Sequence, residues 1–478
     1  MNDLAKGQTR RLDSTSSNAD NSACYERFPY ARAAPSMYLA YSLLFLVVAV
    51  LGSPYFLYRA LWRGAPAGSI RQRLGLLPIS LNLDSEPSIW IHAVSVGEVL
   101  SVRPLAAALR QRYPSLRLYV STTTVTGQQV ARQTLQQEVD GVFYFPLDVV
   151  FIVRRVLDAL RPKLLLLVEN EIWPHLLREC RRRGVKALIV NGRISERSFP
   201  RYRLGRPFFR RVLGDVDRFC MQGEESARRV IAMGADPSRV TVTGSLKFDA
   251  VAGADPHLRG RGRVLRFLRT APERVVVVAG STMAGEDLPV LRAFRRVKAA
   301  FPDALLIVAP RHAERFDEVV RLAMNEGFST VRRTELPIDA APRADVVVLD
   351  TIGELAQVYQ LATVAFVGGS LVETGGHNVL EPAVHARPIV FGPHMSNFAE
   401  IAQAFMSNRA AVQVASSREL EEGLLELVAD PVRRASLGAA AKALVDANRG
   451  ALDRTLDAVV QVLPPVRSAT IHPFRVVH

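Results

Sequence analysis

Two successive series of short apolar runs constrain this chain more than any other feature. Each run stops abruptly at polar residues and is followed by a helical pattern. The first series occupies 89–94, 116–121, 141–145, 164–168, 186–190 and 240–243, and the second 275–279, 305–309, 346–349, 364–367 and 388–391. Runs of this length, rich in Val, Ile and Leu and without alternation, read as parallel strands buried on both faces. Helical patterns such as 149–160 and 174–183 lie between them. Two consecutive β-α-β series predict an α/β protein of two doubly wound, Rossmann-like domains facing a central cleft. At 478 residues the chain is also too long for a single core. No G-x-G-x-x-G follows the first strand of either series, which argues against a dinucleotide oxidoreductase.

In such sheets ligands bind beyond the carboxyl ends of the strands, so the polar residues directly after each run are the candidates. The run 89–94 ends at Ser95-Val96-Gly97-Glu98, and a helical pattern continues to about Tyr113. Gly97 is read as allowing the turn to pack closely. Glu98 has two readings: a first-turn carboxylate favoured by the helix dipole, or a general base at the cleft mouth. The same position after later runs carries Ser121-Thr122-Thr123-Thr124, Glu169-Asn170-Glu171 and Asn191-Gly192-Arg193. Carboxylates beside a strand as apolar as 164–168 are costly unless solvated, paired or used, although one of them can simply cap the next helix. Lys247, after the run 240–243, is placed either to reach a phosphate or to serve as an ordinary linker lysine.

In the second series Pro310-Arg311-His312 ends a strand, and Arg suits a phosphate or nucleotide. The strongest local signal is the run 368–383, in which two glycine pairs precede Asn378-Val379-Leu380-Glu381. The glycines permit close backbone approach, and 378–385 reads as a helix whose amino end attracts an anionic diphosphate or phosphodiester. Glu381 is placed to accept hydrogen bonds from a ribose. Ile352-Gly353-Glu354 opens another helix nearby. These features together indicate a transferase that uses a nucleotide sugar.

A formal charge of +15 favours anionic partners. No nucleic-acid recognition module is present, so nucleic acid is not expected among them. Cys24, Cys180 and Cys220 form neither a disulfide framework nor a metal pattern. Residues 1–36 are polar and aperiodic, and read as a disordered tail. The apolar stretch 37–58 is long enough for a membrane-spanning helix; a secretory signal peptide and a helix lying in the membrane interface are the competing readings. Arg59, Arg63, Arg71 and Arg73 follow it, which puts the large C-terminal part on the cytoplasmic side, against anionic lipid.

Taken in order, YRALWRG, HAVSVGE, STTTVTG, FPLD, RPKLLLLVENEIWP, VTVTGSLKFD, APRHAERF, DTIGELAQVY and FVGGSLVETGGHNVLEP closely resemble the 3-deoxy-D-manno-octulosonic acid (Kdo) transferases of lipopolysaccharide biosynthesis. The resemblance implies a GT-B fold with an N-terminal inner-membrane anchor and no required metal or cofactor. It also implies inverting transfer of Kdo from CMP-Kdo to the tetraacylated, bisphosphorylated lipid A precursor (lipid IVA). Glu98 then matches the catalytic base, and Glu169 and Lys247 match positions assigned to transition-state stabilisation. Pro310, Arg311, Ile352, Gly353, Glu354, Asn378, Val379, Leu380 and Glu381 match the CMP-binding segments. Met283 stands where the family often has His, and Val379 where Pro is frequent. The expected division is a tail (1–36), an anchor (37–58), an acceptor domain (59–248), a CMP-sugar domain (249–464) and a C-terminal tail (465–478). The rivals are a GT-B epimerase acting on a nucleotide sugar and a non-enzymatic, membrane-anchored lipid-binding protein.

Overall fold

The computed structural model describes residues 37–45, 47, 51, 67–196, 198–252, 271, 273–337 and 341–465. The chain divides into two compact units, 1–56 and 57–478. In the first, residues 37–45 are helical, as are 47 and 51, and Leu39, Leu43, Leu44, Val47 and Leu51 are exposed. No helix among the described residues is long and apolar enough to cross a membrane. The tail expected at 1–36, residues 466–478 of the tail expected at 465–478, and residues 46, 48–50 and 52–58 of the expected anchor lie outside the described residues, as do Arg59 and Arg63.

The second unit holds two parallel sheets, each of seven strands among the described residues. The first contains β1 (Ser88–His92), β2 (Arg117–Thr122), β3 (Gly141–Tyr144), β4 (Pro162–Val168), β5 (Lys186–Gly192), β6 (Arg218–Met221) and β7 (Val240–Val242). Its order is β3-β2-β1-β4-β5-β6-β7. The second contains β8 (Val276–Thr282), β9 (Leu305–Pro310), β10 (Thr330–Arg332), β11 (Val346–Val348), β12 (Val364–Val367), β13 (Ile389–Phe391) and β14 (Val412–Gln413). Its order is β10-β11-β9-β8-β12-β13-β14. Setting aside the short edge strand β10, both sheets share one winding, which reverses between β1 and β4 and again between β8 and β12. Those reversals open the crevices in which doubly wound sheets hold ligands.

Every apolar run of the sequence became a strand. β6 (RFCM), β10 (TVR) and β14 (VQ) do not stand out in the sequence, because each is short and carries a polar residue that breaks the apolar run. The central strands are buried along their whole length, β1, β9 and β12 among them. Helix Val150–Leu160 buries Ile152, Val153, Val156, Leu157 and Leu160, the stripe expected of a helix laid on a sheet.

Two segments tie the lobes together. Helix Leu246–Ala252 follows β7; Leu246 is buried in the first lobe's core with Val99 and Val102, whereas Phe248 is buried in the second lobe's with Val379 and Leu380. The last helix, Ala451–Val462, returns to the first lobe, where Ala451 and Val459 are buried beside Leu105 and Leu109. Its start is held by Asp249, whose Oδ1 accepts from the Gly450 N–H at 2.9 Å and Oδ2 from the Leu452 N–H at 3.0 Å. Arg454 Nε donates to the Thr243 carbonyl at 2.8 Å. Asp249→Ala removes both acceptors at once, and by the usual cost of losing a helix cap should destabilise the protein by about 1–2 kcal/mol. A lower urea midpoint, with faster amide exchange confined first to 450–456, is the expected result.

Candidate active site

Glu98 lies in the first turn of helix Val96–Arg112, directly beyond β1. Its carboxylate accepts from the Val94 N–H at 2.8 Å and from Ser95 Oγ–H at 2.9 Å, while Ser95 Oγ in turn faces the Glu98 N–H at 3.4 Å. This reciprocal cap realises the plain reading of the residue. It does not exhaust it, because the carboxyl is pushed up to about 7, chiefly by burial and then by the nearby charges of Glu169 and Glu171. A structural cap carboxylate is ordinarily held below its usual range by the N–H groups it accepts. Here desolvation and like charge outweigh them. Gly97 is not the residue on which close packing depends: a side chain there would meet nothing nearer than Ser95 Oγ at 4.0 Å. The tight approach falls to Gly127, where a Cβ would lie 3.2 Å from the Val94 carbonyl.

Glu169 follows β4, on the other side of the winding reversal from Glu98. Its backbone is left-handed, with φ 60°. Such a conformation costs a non-glycine residue about 1–3 kcal/mol and concentrates at functional sites. Its Oε1 is 3.0 Å from Lys247 Nζ, and the same ammonium lies 5.7 Å from the ring centroid of Phe398 in the second lobe. The three residues singled out in the first lobe thus meet at one crevice, with Lys247 turned towards the opposite lobe. Glu171 takes a different part: it accepts from Trp173 Nε1 at 2.8 Å and faces His92 Nε2 at 3.7 Å. His92 was not singled out by its sequence. It is fully buried, stacked on Phe145 at 3.7 Å, and its Nδ1 lies 3.1 Å from the Ser121 carbonyl.

In the second lobe Arg311 directly follows β9, whose last residue is Pro310, and its N–H donates to the Thr282 carbonyl at 3.0 Å. Beyond β11, Ile352 is 90% exposed, Gly353 is left-handed with φ 89°, and Glu354 accepts from Arg333 Nη2 at 3.0 Å and Thr351 Oγ1 at 2.6 Å. The helix expected over 378–385 is only Leu380–Ala383. It stops because Ala386 is left-handed, φ 53°, before Pro388. One turn carries little dipole, and Asn378 Oδ1 already takes the Leu380 N–H at 3.1 Å, so this helix end offers an anion less than the expected longer helix would. Val379 and Leu380 are buried in the core. Glu381 keeps its expected character: it accepts from Asn378 Nδ2 at 3.3 Å, and burial pushes its carboxyl up to about 7 against the pull of Asn378 and Arg311. His377 is pushed down to about 4 by burial, then by Arg311 and His312, so these side chains share one neighbourhood.

This lobe's loop is organised by a residue that no local sequence signal singles out. Glu286 is fully buried and accepts four backbone N–H bonds, from Met283 (2.9 Å), Gly369 (2.6 Å), Ser370 (2.9 Å) and Leu371 (2.8 Å). It clips the turn after β8 to the glycine run after β12. Gly368 allows this contact, since a Cβ there would sit 2.6 Å from the Ser281 carbonyl. Met283 contributes its backbone to the clip. Beside Gly375 lies a cavity of about 670 Å³, lined also by His394, Met395, Ser396, Gln403 and Met406. Arg73, read from sequence as facing lipid, instead packs over the Tyr144 ring at 5.1 Å and donates to the Thr123 carbonyl.

The two lobes, with polar clusters at the carboxyl ends of both sheets, define a GT-B-like architecture. A solved UDP-GlcNAc 2-epimerase from Neisseria meningitidis bound to UDP-GlcNAc has the same fold, with a TM-score of 0.53 over 78% of this chain and 100% of its own, at 11% identity. Residues 68–250 match the family profile described as 3-deoxy-D-manno-octulosonic-acid transferase (kdotransferase). The 3-deoxy-D-manno-octulosonic acid transferase of Haemophilus influenzae is 35% identical over 77% of this chain and 86% of its own. That of Bordetella pertussis is 35% identical over 78% and 86%. The chain belongs to the 3-deoxy-D-manno-octulosonic acid transferase family, and is a glycosyltransferase.

Replacing Glu286 by Gln leaves one acceptor oxygen for four donors and turns an N–H2 towards backbone N–H groups. Leaving such groups unsatisfied costs about 1–3 kcal/mol. Hydrogen exchange at Gly369, Ser370 and Leu371 should accelerate about tenfold or more in Glu286→Gln, with β1–β7 unchanged.

Proposed function

We propose that this protein transfers Kdo from CMP-Kdo to the tetraacylated, bisphosphorylated lipid A precursor, with inversion, as a step of lipopolysaccharide biosynthesis. One observation carries the reading beyond family membership: a half-buried carboxyl at a winding reversal, Glu98, pushed up to about 7 beside a lysine-paired glutamate. A general base works best when its pKa lies near the working pH. In the proposed step Glu98 takes the proton of the acceptor hydroxyl as that oxygen bonds to the anomeric carbon. The bond from this carbon to the phosphate oxygen breaks on the opposite face, and CMP leaves with the electron pair. Glu169 favours positive character at the anomeric carbon, and Lys247 the negative charge gathering on phosphate.

The donor is assigned to the second lobe. Arg311 faces its phosphate, Glu354 and Glu381 its ribose and base, and Pro310, Ile352, Gly353, Asn378, Val379 and Leu380 shape the surround. The cavity beside Gly375 has ample room for an eight-carbon sugar. The acceptor is assigned to the first lobe, presented from an anionic membrane surface. The apolar stretch 37–58, with its exposed leucines, supports an anchor in the inner membrane with the two lobes on the cytoplasmic side.

The deciding experiment incubates the full chain with CMP-Kdo and the lipid precursor and reads products by mass spectrometry. A lipid heavier by Kdo supports the reading; isomerised free sugar, or no product from protein that binds CMP, overturns it. Because Glu98 must be ionised to accept a proton, kcat should rise with pH through about 7 and fall below it. Glu98→Gln should lower kcat by about a hundredfold or more while CMP affinity changes little. The folded state holds the Glu98 proton more tightly than the unfolded chain, so this residue's contribution to stability falls as pH rises from about 4.5 to 7. Glu98→Gln removes that cost, and at pH 8 the inactive variant should be more stable than the wild type by about 1–3 kcal/mol in urea unfolding.

A further inference from the structure

Beside Glu169, the penultimate residue of β5 is a second strained position. Asn191 is fully buried and left-handed, φ 53°. The two turns are joined, since the Glu169 N–H donates to the carbonyl of Val190 at 3.0 Å. The Asn191 carbonyl accepts from Gln222 Nε2 at 2.9 Å, and its side-chain Oδ1 accepts from the N–H of Leu246 at 3.0 Å, 55 residues further along the chain. Its Nδ2 is buried without a hydrogen-bond partner among the described residues. Glycine would adopt this backbone without strain and without burying an unpaired amide nitrogen. What asparagine supplies and glycine does not is the bond to Leu246.

That bond falls at a decisive place. Leu246 opens the helix that crosses between the lobes, its side chain buried in the first lobe's core. The next residue is Lys247, whose ammonium meets Glu169 at 3.0 Å and faces Phe398. A lysine side chain has four rotatable bonds, so its head is placed only as well as its backbone is held. Glu169 and Asn191, at the ends of neighbouring strands, therefore hold the two ends of one arrangement: the first receives the ammonium, the second fixes the backbone that carries it.

We propose that Asn191 is a positioning residue for the transfer reaction, its side-chain oxygen setting the helix start so that Lys247 is held against Glu169 at the cleft. This rests on the assignment of Glu169 and Lys247 to the reacting centre. Two variants separate the oxygen from the backbone. Asn191→Gly keeps the left-handed turn and loses the acceptor, whereas Asn191→Asp keeps an acceptor for the Leu246 N–H. The first readout is independent of activity: acylation of Lys247 by an amine-reactive ester, followed by mass spectrometry of the full chain. Lys247 in Asn191→Gly should react about fivefold faster or more than in the wild type, and in Asn191→Asp at close to the wild-type rate. The second readout is kinetic. In Asn191→Gly kcat should fall about tenfold with the KM for CMP-Kdo within about threefold, the pattern of a lost transition-state contact rather than lost binding. Unchanged Lys247 labelling in Asn191→Gly overturns the inference, whatever the rates, and so does an unchanged kcat despite faster labelling. A wild-type protein that makes no Kdo-lipid defeats the functional reading instead, and the labelling comparison still decides whether Asn191 sets Lys247.

Discussion

A parallel strand buried on both faces has room for polar side chains only where it ends. That constraint governs both lobes. β1, β9 and β12 bury every residue, so the groups able to do chemistry collect in the turns beyond their carboxyl ends. At a winding reversal the neighbouring connections leave in opposite directions, and the turns there line an open crevice instead of covering each other. Glu98 after β1 and Glu169 after β4 occupy such a place in the first lobe. The turn carrying Glu286 and the glycine run after β12 occupy the equivalent place in the second.

Carboxylates in and around the cleft, buried or half-buried, divide by what satisfies them. Glu286 receives four backbone N–H bonds and so belongs to the framework of the loop. Asp249 likewise spends both oxygens on the amino end of the last helix. Glu98 accepts from one backbone N–H and one hydroxyl while facing two other carboxylates, and is left near 7. Glu381 has a single side-chain amide and a more distant arginine against its burial. A carboxylate whose surroundings do not fully compensate its charge is the kind that chemistry uses, and the contrast with Glu286 is internal to the same molecule.

The lobes are coupled through helix Leu246–Ala252 and helix Ala451–Val462, whose crossing is fastened by Asp249 and Arg454. Lys247 lies on the first of these. Its ammonium touches a residue of one lobe and faces a ring of the other, so its setting depends on the linkage between lobes as well as on the first sheet.

The amino-acid sequence determined by itself the fold class, the strands long enough to be continuous apolar runs, and the motifs HAVSVGE, VENEIWP and GSLKFD with the residues they place at strand ends. Those signals are local: a run of Val, Ile and Leu followed by a polar turn has the same meaning wherever it occurs. Tertiary structure decided what depends on groups far apart in the chain. It shortened the helix after Asn378 to one turn, moved close packing from Gly97 to Gly127, and tied Arg73 to the first sheet. It returned the last helix to the first lobe. It gave Glu286 its four donors, three of them more than 80 residues away, and gave Asn191 its bond to Leu246. The motif around Glu98 by itself favours the cap, and the family resemblance favours the base. Its hydrogen bonds to Val94 and Ser95 are local, whereas the burial and the charges that hold it near 7 come from the assembled crevice.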